Sequence, residues 1–216
     1  MRANQIFIIF MAFCFGALAA IWLYALENQP SRVKTETIGQ ALVGGPFTLK
    51  DQDGKTRSDT DFAGKYMMVY FGYTYCPDIC PTDLSKMTRT LEILSKKDKG
   101  NKAELIQPIF ITVDPERDNS EQLKDYISNF HPRLIGLTGT SEDIEKAKKA
   151  YKVYAVKVDA EGKTGTDIKG DDYLMDHSPQ TFLMGPDGKF VRFFRFSETA
   201  PQIAAALDKI IPSPKN

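Results

Sequence analysis

Cys76 and Cys80 stand four positions apart in the segment Cys76-Pro77-Asp78-Ile79-Cys80-Pro81. They follow the aromatic, β-branched run from Val69 to Tyr75 and precede a helix-like segment, so both sulfurs fall where a strand stops and a helix begins. Amides at a helix start carry partial positive charge, which lowers a nearby thiol pKa and favours the thiolate, the form that attacks disulfides and binds metals. Pro81 suits a first helical position and would break a helix interior, so the helix is expected to open there, with residues 77 to 80 in a turn. Three chemistries are open to such a pair. It can form a structural disulfide, exchange disulfides with a client, or chelate one soft ion with a third ligand from elsewhere in the chain. The usual exchange spacing is Cys-x-x-Cys, and the extra residue here shifts the weight toward metal.

His177, one of two histidines, is the candidate third ligand. A lone histidine is ordinarily a satisfied core or surface residue. This one precedes Ser178-Pro179-Gln180-Thr181-Phe182, and in thioredoxin-fold proteins a cis-proline before a Thr/Phe-rich strand lies against the active-site cysteines. With Pro179 in that place, His177 lies beside the sulfurs. Two thiolates and one imidazole suit copper, which takes cysteine strongly as Cu(I) and accepts histidine as well. Asp176 is a candidate acceptor for the other ring N–H of His177 if the chain bends there, and Met175 reads as core filler on the same strand face as His177. His131 reads as a capping or surface residue, Asp78 as solvated, and Asp114 to Asp118 as a turn and helix cap.

These residues need a scaffold, and the hydrophobic pattern supplies one. Ile6 to Leu26 is an apolar run long enough to cross a bilayer, with Arg2 before it and Glu27 after it. An uncleaved anchor fits better than a cleaved signal peptide, because Ile21-Trp22-Leu23-Tyr24 continues the run past the cleavage-like Ala17-Leu18-Ala19. Cys14 within it reads as a buried membrane-helix thiol. The expected organisation is a cytoplasmic N-terminus and transmembrane anchor over 1–27, a polar linker over 28–45 and one α/β domain over 46–216. That domain should open on a hairpin near Pro46 to Lys55. Strands at Tyr66–Tyr73, Pro108–Val113 and Leu134–Leu137 should alternate with helices, as in a parallel sheet. A strand over Val153–Val158, a mobile loop over Asp159–Asp172, a hairpin over Gln180–Phe194 and a helix over Pro201–Ile211 complete it. Twenty-eight basic residues balance 28 acidic ones, so no overall charge argues for nucleic acid. No phosphate loop or serine-hydrolase elbow appears.

Taken together, Tyr73 to Pro81, Asp114-Pro115-Glu116-Arg117-Asp118, Leu137-Thr138-Gly139 and Asp176-His177-Ser178 closely resemble the Sco (SenC/PrrC) family of copper proteins for cytochrome c oxidase assembly. The likeness covers roughly Pro46 to Ile211. It implies a thioredoxin-like fold, a membrane anchor and one copper ion, Cu(I) or Cu(II), held by Cys76, Cys80 and His177. It also implies delivery of that copper to the dinuclear site of oxidase subunit II, with a periplasmic copper chaperone as a possible donor. The alternative is a thiol-disulfide oxidoreductase, with Cys76 and Cys80 as its catalytic pair, that reduces the client's cysteines or acts in redox signalling. The chain is expected in a bacterial inner membrane with its domain in the periplasm, or else in the mitochondrial inner membrane facing the intermembrane space.

Overall fold

The computed structural model describes Met11, Gly16, Trp22 and Tyr24, then residues 43–97, 101–165, 168 and 170–213. The chain divides into residues 1–40 and residues 41–216. The four described residues of the first unit are helical. The rest of the apolar run, Cys14 with it, and most of the linker lie outside the described residues. Among the described residues no helix is long and apolar enough to cross a membrane.

In the second unit, β1 (Thr48–Asp51) turns through Gln52 to Gly54 onto β2 (Thr56–Ser58), which is the expected hairpin. Buried on both faces, the apolar run of β3 (Tyr66–Gly72) lies parallel to β4 (Ile106–Thr112). Between them come α1 (Ile79–Lys97) and the single turn α2 (Asn101–Glu104). After β4 the chain runs through α3 (Ser120–Ile127), β5 (Ile135–Thr138) and α4 (Ser141–Tyr151). It then enters three short strands, β6 (Ala155–Val158), β7 (Thr164–Gly165) and β8 (Leu174–His177). A hairpin of β9 (Thr181–Met184) and β10 (Phe190–Phe194) leads to α5 (Ala200–Ile210).

Seven strands form the main sheet in the order β10-β9-β3-β4-β5-β1-β2, in which β3, β4 and β5 are parallel. Neighbouring side chains of a strand point to opposite faces, and helices cover both. Tyr70 stacks on Phe110, which meets Tyr126 of α3 at 5.7 Å, while Phe71 meets Tyr151 of α4 at 5.2 Å. The result is an α/β, thioredoxin-like domain with an N-terminal hairpin. A second sheet, β7-β6-β8, was not expected from the sequence, and part of it occupies the stretch read as a loop over Asp159–Asp172. It pairs Ala155 with His177 and so decides where the imidazole stands.

Candidate metal centre

The cysteine loop leaves β3 at Gly72, a position with no room for a side chain. A Cβ there would lie 2.8 Å from Cys80 Sγ and 2.9 Å from both Phe110 Cε2 and Tyr70 Cε1. Thr74 then fixes the loop to a buried carboxylate. Its backbone N–H and hydroxyl donate to Asp118 at 3.0 and 2.6 Å, and the Thr112 hydroxyl donates to the same group at 2.6 Å. Burial pushes the Asp118 carboxyl up, while those donors hold it partly down. Asp118 is therefore a loop anchor and not the helix cap expected from sequence. That cap is Asn119, whose Oδ1 accepts the Gln122 N–H at 2.9 Å.

The helix opens at Ile79, two residues earlier than Pro81 suggested. The first N–H groups of a helix lack intrahelical partners, so a proline in the first turn removes no hydrogen bond. Cys80 is thereby drawn into the first turn and fully buried, and Cys76 stays half-buried just before it. Both are free thiols. The Cys80 N–H donates to Cys76 Sγ at 3.4 Å. A hydrogen bond from the Cys80 side chain, aided by His177 and by the Cys80 and Asp78 amides, lowers the Cys76 thiol to about 3 against the opposing effect of burial. The Cys80 thiol moves the other way, because it shares its hydrogen with the Cys76 sulfur and lies in a dry pocket. The pair is a thiolate backed by a thiol.

His177 ends β8, and its ring lies between Tyr70 and Tyr73, edge-on to each at 6.1 and 6.0 Å. Nε2 lies 3.3 Å from Cys80 Sγ, and Nδ1 lies 3.3 Å from the Ser178 carbonyl. In the Nδ1–H tautomer the ring donates to that carbonyl and turns the Nε2 lone pair toward the sulfurs, as metal ligation requires; in the Nε2–H tautomer it donates to sulfur, which is how it helps lower the Cys76 thiol. Ser178, not Asp176, is thus the partner of the second ring nitrogen. Asp176 is exposed at the wall of the same cleft, its side chain on the strand face opposite that of His177. Nor does a cis-proline place the histidine, since among the described residues every peptide bond is trans. The pairing of β8 with β6 does so, extended by hydrogen bonds between Ser178 and Tyr154 at 3.0 and 3.2 Å. Met175 is buried in the core on the strand face it shares with His177. Burial, and the nearby sulfurs after it, push the Tyr73 hydroxyl up to about 12.

A cleft of about 540 Å³ opens over Cys76 and His177, with Ile79, Leu174, Pro179 and Phe196 among its walls. Exposed Asp78 lies at its edge. His131 is remote from it, with Nδ1 accepting the Arg133 N–H at 3.2 Å. Among the described residues no three His, Cys, Asp or Glu side chains are already gathered as a set ready to hold a metal ion. Cys76 and His177 nevertheless line one cleft, with the buried Cys80 sulfur 3.3 Å behind the imidazole, and two soft sulfurs and one imidazole nitrogen are a donor set chemically suited to copper. Sequence reasoning missed Gly72, Tyr70, Arg117 and the anchoring role of Asp118. Gly72 alone left a signal, as a glycine ending an apolar strand beside a reactive pair.

A SCO1/SenC family model matches residues 35–212. The chain is 37% identical over 196 residues to "Protein SCO2 homolog, mitochondrial" of Danio rerio, an alignment that covers 89% of this chain and 67% of that protein. It is 35% identical over 195 residues to "Protein SCO1 homolog, mitochondrial" of Homo sapiens, with 89% of this chain and 62% of that protein covered. Among solved structures, that of Arabidopsis thaliana ScoI with copper bound superposes with a TM-score of 0.68 at 36% identity, over 78% of this chain and 98% of that one. On the match over most of its length and the site at the end of β3, the chain belongs to the SCO1/SenC family.

Proposed function

We propose that this chain binds one copper ion through Cys76, Cys80 and His177 and passes it on during assembly of the dinuclear copper site of cytochrome c oxidase subunit II. Family membership and a relative solved with copper support the copper-binding, oxidase-assembly reading. The ligand set rests on one observation, the 3.3 Å approach of His177 Nε2 to the Cys80 sulfur. Thiolates favour Cu(I), and the imidazole extends the set to Cu(II). The half-buried Cys76 is the sulfur that an incoming thiolate of the client can reach first, so transfer proceeds by ligand exchange from the cleft side. The apolar run before residue 27 serves as a single-pass anchor, with 28–45 as tether and the domain outside the cytoplasm. That places the domain in the periplasm for a bacterial inner membrane, or in the intermembrane space, the compartment matching the relatives named mitochondrial. A soluble copper chaperone would serve as donor.

Anaerobic copper titration of the protein and its Cys76, Cys80 and His177 variants tests the reading. The expected stoichiometry is about one ion, and His177→Ala should lose most Cu(II) affinity while keeping part of its Cu(I) affinity. Unchanged affinity for both oxidation states in that variant would defeat the ligand assignment.

A second reading is favoured by the free, unequal thiols. The Cys76 thiolate attacks a client disulfide, one client sulfur leaves as thiolate, and Cys80 resolves the mixed disulfide, which leaves the client reduced and this pair oxidised. Capture of subunit II on a Cys80→Ser variant as a mixed disulfide, with no metal dependence in cells, would make this the main role.

A further inference from the structure

A single guanidinium joins the three chain segments that meet at the metal centre. Arg117 lies in the loop between β4 and α3, with its side chain only 8% exposed. Its Nε donates to Asp114 Oδ2 at 2.6 Å, and its Nη1 donates to the carbonyls of Asp171 and Tyr173 at 2.8 and 3.0 Å. The guanidinium carbon sits 3.6 Å from the centre of the Tyr173 ring, 4.8 Å from that of Tyr75 and 5.9 Å from that of Tyr73. The Tyr173 hydroxyl closes the group by donating to Asp114 Oδ1 at 2.7 Å. Nη2 is buried and, among the described residues, has no hydrogen-bond partner. A buried N–H without a partner costs free energy, which the stacked rings offset through cation–π attraction.

The contacts are not spread evenly over the surface. Tyr73 and Tyr75 belong to the cysteine loop, whereas Asp171 and Tyr173 lead directly into β8, which ends at His177. From Tyr173 to His177 the chain is extended, a lever of about 13 Å at strand rise. A shift at the clamped end is carried to the imidazole.

We propose that Arg117 is a positioning residue for the copper site, clamping the root of the His177 strand to the cysteine loop and so setting the distance between the imidazole and the sulfurs. The proposal rests on the reading of Cys76, Cys80 and His177 as ligands. Lysine does not replace arginine here, because the planar fork serves a carboxylate and two carbonyls while its faces stack on rings. Two thiolates satisfy Cu(I) on their own, so a loosened imidazole is felt by Cu(II).

The test compares the wild-type protein with Arg117→Gln, Arg117→Lys and His177→Ala. In Arg117→Gln, Cu(II) affinity should fall at least about tenfold while Cu(I) affinity changes less than about threefold, with an altered Cu(II)–thiolate absorption band. Arg117→Lys should recover only part of the loss. Without metal, amide hydrogen exchange over residues 174–177 should be faster in Arg117→Gln than in wild type. A wild-type ratio of Cu(II) to Cu(I) affinity together with wild-type exchange in that segment would overturn the proposal. Should the wild-type protein take up neither oxidation state, the ligand assignment fails, and the metal-free exchange still decides the role of Arg117. If Arg117→Gln does not fold, Tyr75→Leu removes one stacked ring that is 52% exposed and spares the buried ion pair. It should shift the affinity ratio and the exchange in the same direction by less, and no shift in either would count against the clamp.

Discussion

Cys80 Sγ and His177 Nε2 lie 3.3 Å apart although 97 positions separate the two residues in the chain. The cysteine sits in the first turn of α1 at the end of the main sheet, and the histidine is the last residue of a small sheet built from different strands. Their contact therefore depends on backbone fit at several places outside the two residues themselves, and each of those places can be tested.

Gly72 is the tightest of them. Gly72→Ala puts a methyl group against Cys80 Sγ, Phe110 and Tyr70, all three fully buried, and the sulfur, a single atom turning about one bond, is displaced more readily than either ring. Overpacking of this kind costs about 1–3 kcal/mol. The urea midpoint should drop, and copper titration should show weaker binding of both oxidation states, since a cysteine and not the imidazole is displaced. An alanine variant with wild-type stability and affinity would mean that the sulfur pocket has slack.

Asp118 anchors the same loop from below. Asp118→Ala leaves the Thr74 N–H and two hydroxyls without their acceptor, a loss of about 2–4 kcal/mol. Denaturation should report that loss, and alkylation of Cys76 in the native state should become less selective over Cys80 as the loop loosens.

Thiol chemistry supplies the pH dependence. With Cys76 held down at about 3, its alkylation by iodoacetamide should stay near its plateau from pH 8 to about pH 5, where an ordinary thiol with a pKa of about 8.5 loses about tenfold per unit. The folded value lies below the unfolded one, so the thiolate's contribution to stability is complete above the unfolded value and is lost as pH falls toward the folded one. Cys76→Ser should therefore flatten the pH dependence of stability across that window. An alkylation profile that bends near pH 8 would show that Cys80 does not share its hydrogen with Cys76.

The Tyr70 hydroxyl is buried close enough to Cys80 and Asp83 to interact with both, yet neither contact reaches hydrogen-bond geometry. Removing an unsatisfied polar group while keeping the ring should be neutral, or stabilising by up to about 1 kcal/mol. Tyr70→Phe should thus hold or raise the thermal midpoint and leave the edge contact with His177 in place. A clear loss of stability would reveal a bonded hydroxyl.

Much of this arrangement is legible in the sequence, and the gaps have physical causes. The runs at Tyr66 and Pro108 announce central strands because both of their faces are buried, and the spacing of Leu84, Met87, Leu91 and Leu94 announces α1. β6 falls within the strand expected over Val153–Val158, whereas two-residue β7 has no buried residue and β8 carries one, so neither of these has a periodicity that distinguishes it from a loop. The proposed ligand trio rests on residue types and motif. The roles of Asp118 and Arg117 are not legible there, because an acidic, proline-punctuated loop reads the same whether its charges face solvent or a buried threonine. Pro81 does not mark the start of α1, which opens at Ile79, because the whole first turn of a helix tolerates proline.

The division of the donors between two sheets has one more consequence. Short, half-buried strands sit at the low end of local stability, well below that of a doubly covered centre such as β3 and β4. With copper held by Cys76, Cys80 and His177 as proposed, brief fraying of β8 from β6 would carry the imidazole off the ion and leave it on two sulfurs, with the rest of the carrier intact. Cargo held in this way can be surrendered within the native ensemble, at a rate set by a few strand hydrogen bonds and not by global unfolding.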